Sequence, residues 1–189
     1  MTMVVLFHHA QGLTPGIVAF ANELRAHGHE IHLPDLFEGA TFATVEEGVA
    51  HAERTGFDRI VARGVAATEA LPADVVYAGS SLGVLPAQKL AQTRPGARGV
   101  VLYHGGVPVS TFSERWPDGV PLQLHLMDQD VLGEVDIVEE LARAVDGAEL
   151  FLYPGSAHLF TDSSLDVYDH QATRQVLDRT LELLARVDG

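Results

Sequence analysis

Short apolar runs alternate with stretches of helical apolar spacing along the whole chain, and this alternation limits the fold more than any other feature. Strands are predicted over residues 4–7, 30–33, 75–78, 100–103, 122–126 and 150–153. Helices are predicted over 17–25, 44–70 (two helices broken near Gly56), 82–93, 134–145 and 169–187. The turn signal at Gly12 to Gly16, Gly28 after the first helix, Pro34 after the second strand and Gly147 before the last strand separate them. On the last helix Val176, Leu177, Leu181 and Leu184 form the apolar face. Strands that are almost wholly apolar fit a sheet covered on both sides. The strand–helix order makes that sheet mostly parallel and doubly wound, an α/β class. With 189 residues, no repeats and no low-complexity segment, the expected organisation is one domain over residues 1–189 without a cap domain.

Composition narrows the chemistry. There is no cysteine, so thiolate nucleophiles, zinc–thiolate sites and disulfides are excluded. The net charge of −14 opposes binding to nucleic acid or to anionic membranes. The first residues carry no basic segment ahead of an apolar run, and no run approaches the ~20 apolar residues of a membrane helix. A cytoplasmic protein, monomeric or a small homo-oligomer, acting on a small molecule without a cofactor is expected. His27, His29 and His32 span a helix end and a strand, so their rings diverge and no metal site is expected there.

The sharpest local signal is Gly79-Ser80-Ser81-Leu82-Gly83, which fits G-x-S-x-G. An apolar strand precedes it and an amphipathic helix follows it, the setting this motif requires. Such a turn holds the Ser81 hydroxyl proud of the sheet, with flanking glycines removing side chains that would collide. The helix start favours developing negative charge beside it. Ser80 is a rival nucleophile, but glycines do not flank it symmetrically.

A serine needs a base. His158, after the last strand in Tyr153-Pro154-Gly155-Ser156-Ala157-His158, is placed to supply it. The acid belongs after the preceding strand, where Asp130 is preferred, with Asp128 and Asp136 as rivals. Its role is to orient the imidazole and stabilise imidazolium. Oxyanion donors are expected from the backbone N–H of Leu82 and from that of Ala10 or Gln11 in the loop after the first strand. His8 and His9 could line the pocket. His104 and Trp116 are further pocket candidates, because the stretch 105–121 is read as a loop at the C-terminal edge of the sheet.

Taken together, these stretches resemble the dienelactone hydrolase family, over nearly the whole chain. The resemblance rests on His9-Ala10-Gln11-Gly12, on His32-Leu33-Pro34-Asp35-Leu36-Phe37-Glu38-Gly39, on Gly79-Ser80-Ser81-Leu82-Gly83, on the Asp130 region and on Tyr153-Pro154-Gly155-Ser156-Ala157-His158-Leu159-Phe160. It implies the short form of the α/β-hydrolase fold and a triad of Ser81, Asp130 and His158. The chain departs from the family's founding members at three places. Serine stands at 81 where they carry cysteine. His9 stands where they carry a glutamate. Asp162 stands where they carry an arginine that grips a substrate carboxylate, and it would repel an anion. The departures favour a neutral ester or lactone. The same site could serve acyl transfer or amide cleavage, and a catalytically silent binding protein on this fold is the reading from another class.

Overall fold

A computed structural model describes residues 1–188. Six strands form one all-parallel sheet in the order β2-β1-β3-β4-β5-β6: β1 (Met3–Phe7), β2 (Glu30–His32), β3 (Val76–Ser80), β4 (Gly99–Tyr103), β5 (Leu122–Met127) and β6 (Glu149–Tyr153). The helices are α1 (Pro15–Ala26), α2 (Val45–Thr55), α3 (Phe57–Ala66), α4 (Val84–Thr93), α5 (Val135–Ala144) and α6 (His170–Val187). Among the described residues no helix is long and apolar enough to cross a membrane.

The twofold period of the strands sorts their side chains into two cores. Val4 and Leu6 of β1 join Ile17, Phe20 and Leu24 of α1 and Val176 and Leu184 of α6 on one face. Val5 and Phe7 join Ile60 of α3, Leu90 of α4 and Leu141 of α5 on the other. Local chemistry sets the helix ends. Thr14 caps α1, with Pro15 in its first turn, Thr44 caps α2 and Asp169 caps α6. Gly56, at φ 93°, both ends α2 and starts α3, because that backbone conformation suits only glycine. The break foreseen near Gly56 is therefore real. Other boundaries move by a residue or two, as at β3, which runs on to Ser80, except that α3 ends at Ala66, four residues short of the expected end at 70.

Two features of the topology position the site. β1 lies between β2 and β3, so the chain grows outward on one side of β1 and then crosses to the other. The loops after β1 and β3 leave towards opposite faces and open a crevice between them at the C-terminal edge, where open α/β sheets bind ligands. The second feature corrects the expected place of the 105–121 loop. Its first part stays at that edge, where Gln88 of α4 clamps both the N–H and the carbonyl of Val107. Its end must return to the start of β5, because the strands are parallel. Trp116 therefore lies at the opposite edge, buried, with its indole N–H on Val120 O and with Ala144 and Gly147 nearby. It lines neither of the clefts that hold Ser81 and His158.

Candidate active site

The turn after β3 is tight. Ser81 has φ 49°, a left-handed conformation that is costly for a residue with a side chain and that clusters at functional sites. It opens a short 3-10 turn, Ser81–Gly83, that leads into α4. A Cβ on Gly79 would lie 2.2 Å from Gly83 O, and one on Gly83 would lie 2.3 Å from Phe7 O. Only glycine allows β3 and β1 to approach the turn so closely. Ser80 lies within β3, buried, with its hydroxyl unpartnered among the described residues.

Ser81 Oγ lies 2.8 Å from His158 Nε2. His158 Nδ1 lies 2.8 Å from Asp130 Oδ2, so three loops far apart in sequence converge on one hydrogen-bonded series. Asp130 is 1% exposed, and its other oxygen accepts the N–H of Gly133 at 3.0 Å. The rivals do other things. Asp128 accepts the Gly155 N–H and braces the loop before His158. Asp136 is exposed in the first turn of α5.

The loop after β1 is fixed by buried histidines. His8 is fully buried, donates from Nδ1 to His9 O and accepts the Leu36 N–H at Nε2. Burial holds its pKa down at about 4, so it is a neutral clip. His9 was expected to line the pocket, but it is 1% exposed and its Nε2 meets Asp162 Oδ2 at 2.8 Å. Asp162 also accepts from Thr14, from Ser164 N and from Ser164 Oγ. Burial pushes the Asp162 carboxyl up, but these hydrogen bonds outweigh it and hold the group at about 2. Asp162 is therefore an internal anchor rather than a pocket anion, which corrects the repulsion assigned to it above. A carboxylate wants donors when buried, and His9, Thr14 and Ser164 are the donors within reach.

The same pairing separates the two backbone donors expected from this loop. His9 Nδ1 accepts the Gln11 N–H at 3.2 Å, and the Gln11 side chain holds Phe42 O and Ala43 O. Of the pair, Ala10 is the one that lines the cleft shared with Ser81 and Leu82. His104 does reach this cleft. It sits at φ 61°, with Nε2 on Thr161 Oγ1 at 2.8 Å and its ring edge-on to His158 at 5.9 Å. Burial, with His158 and His9 nearby, lowers its pKa well below the usual histidine value.

Two clefts meet over Ser81 and His158. One, of about 610 Å³, is lined by Gln11, Val45, Glu46, Asp130, His158 and Asp166 among others. The other, of about 280 Å³, is lined by Ala10, Phe57, Ser81, Leu85, Val107 and Leu132 among others. Neither lining contains a lysine or arginine. Gly133, Thr161, Thr14 and Ser164 were not singled out from sequence. Gly133, three residues after an expected triad acid, was the one with a local signal.

A doubly wound sheet with a strained serine turn at its switch point defines a hydrolase of the α/β-hydrolase fold. Solved structures share that architecture. A dienelactone hydrolase from Anabaena variabilis is 22% identical with a TM-score of 0.71, over 98% of this chain and 86% of that one. A dienelactone hydrolase-like promiscuous phosphotriesterase from metagenomic libraries is 18% identical with a TM-score of 0.74, over 99% and 87%. Mouse α/β hydrolase domain-containing protein 10 is 12% identical with a TM-score of 0.74, over 98% and 90%. No curated protein matches the sequence. The sequence profile of the dienelactone hydrolase family matches residues 1–188, and the chain belongs to that family.

Proposed function

We propose that this protein hydrolyses a small, uncharged carboxylic ester or lactone through an acyl-enzyme on Ser81. The observation that carries the reading is the unbroken series from Ser81 Oγ through His158 to Asp130, with both links at 2.8 Å.

The chemistry follows from that series. His158 Nδ1 donates to Asp130, which leaves Nε2 free to take the Ser81 proton as Oγ attacks the ester carbonyl. The carbonyl oxygen becomes an oxyanion facing the N–H groups of Leu82 and Ala10. The bond from carbonyl carbon to the alcohol oxygen then breaks, and His158 gives its proton to that oxygen. A water enters, loses a proton to His158 and attacks the acyl carbon. The bond to Ser81 Oγ breaks, Oγ recovers the proton and the acid leaves. Without a lysine or arginine in either cleft, nothing offsets the cost of desolvating a substrate carboxylate. That supports a neutral substrate.

Labelling with a fluorophosphonate and mapping the modified peptide tests the reading. An adduct on Ser81, absent in Ser81→Ala along with ester turnover, is the expected result. Folded protein that takes no adduct would place the chain among silent binding proteins of this fold. Turnover undiminished in Ser81→Ala would remove the serine from the mechanism.

A further inference from the structure

Resting on the ester-hydrolase reading, we propose that the two clefts divide the substrate. The smaller cleft takes a short apolar acyl group, and the larger takes the uncharged alcohol part.

The assignment comes from directions around one carbon. In the tetrahedral intermediate that carbon holds Ser81 Oγ, the oxyanion, the leaving oxygen and the acyl chain. The leaving oxygen must be within reach of His158 Nε2, its proton donor. His158 lines the larger cleft and not the smaller. The oxyanion points at the N–H groups of Leu82 and Ala10. The acyl chain takes the remaining direction, into the cleft that Ser81, Leu82 and Ala10 share.

The smaller lining suits an apolar chain. The smaller cleft presents Val49, Phe57, Val84, Leu85, Val107 and Leu132. Its ionisable members are the buried His104 and the exposed Glu134. The larger cleft is mixed: Val45, Val131, Leu165 and Val167 stand beside Gln11, Gln129 and Ser156, and Leu132 borders both clefts. The volume sets a length. At roughly 30 Å³ per non-hydrogen atom, water's share of the liquid, 280 Å³ holds on the order of nine atoms, and imperfect filling reduces that to a chain of roughly four to eight carbons.

The test uses the full-length protein and 4-nitrophenyl esters from acetate to dodecanoate. Each methylene that enters an apolar cleft raises kcat/KM by about fourfold, so the rate should climb to a maximum between roughly C4 and C8 and then fall. Leu85→Trp, which narrows the cleft, should shift the maximum to shorter chains. Phe57→Ala, at a residue 41% exposed and so tolerant of change, should shift it to longer ones. Val167→Trp in the larger cleft should alter the preference among alcohols and leave the acyl maximum in place. A flat chain-length profile, or a Leu85 variant that alters alcohol preference and not acyl length, would overturn the division while leaving ester hydrolysis intact. Absence of any ester turnover together with absence of fluorophosphonate labelling would overturn the underlying reading instead.

Discussion

Gly133 donates its N–H to Asp130 Oδ1 at 3.0 Å, and a Cβ at position 133 would stand 2.7 Å from Asp130 Oδ2, the oxygen that meets His158. The glycine both holds the carboxylate and leaves room for it. Gly133→Ala should displace that oxygen and turn the imbalance onto His158. A misplacement approaching 1 Å costs on the order of 100-fold in rate. The expected result is a kcat loss of about that size with KM little changed, read by steady-state kinetics. Wild-type kcat in this variant would mean that Asp130 does not orient the base.

Asp130→Asn should lower kcat by about 10⁴, because the amide favours the wrong imidazole tautomer. Asp136→Asn, at an exposed helix start, should stay within about twofold, as surface changes do. If the two results were exchanged, Asp136 would be the acid.

Asp162 is held by His9, Thr14 and Ser164. In Asp162→Asn an amide N–H₂ can face His9 Nε2 and drive its proton to Nδ1, against the Gln11 N–H. Breaking one partner of a buried pair of this kind costs about 3–5 kcal/mol. Urea unfolding should show a loss of that order. A change below about 0.5 kcal/mol would show that the anchor contributes little.

Stability should fall as pH drops below the ordinary histidine value. Burial lowers the folded-state pKa of His8 to about 4 and of His125 to about 3, and His104 also lies well below 6.5. Between those values and the unfolded value of 6.5, the unfolded chain binds protons that the folded chain refuses, so stability drops as pH falls. Each such group contributes up to about 1.4 kcal/mol per pH unit. Asp162 behaves differently. Its folded value of about 2 lies below its ordinary 3.8, so its contribution is intact above that value and is lost as pH falls through about 2. Urea midpoints should be level from pH 8 to 7 and decline steeply below 6. A midpoint constant down to pH 5 would show that these imidazoles take up protons in the folded chain.

A carboxylate on the substrate should be penalised. Glu46 and Asp166 border the larger cleft and no cation does. Against a neutral isostere, an anionic ester should show kcat/KM at least about tenfold lower at low ionic strength, the gap narrowing as salt screens the rim. Equal rates for the two would remove charge from the specificity.

The sequence by itself determined what depends on neighbours along the chain. Apolar period and turn residues set the strands and helices around the Gly56 break. The G-x-S-x-G turn is local too, because its glycines clear contacts at the very turn they make. His158 was legible from its place after the last strand. Contacts across the fold were left to the tertiary structure. Asp130, Asp128 and Asp136 lie within one stretch, and only the packing of the β5 loop against a histidine 28 residues away separates them. His9 and Asp162 are 153 residues apart, and no local pattern says that a buried carboxylate will find its donors there. Trp116 was misplaced for a topological reason: a loop that leaves the C-terminal end of β4 must reach the N-terminal start of a parallel β5, so its two ends occupy opposite edges of the sheet.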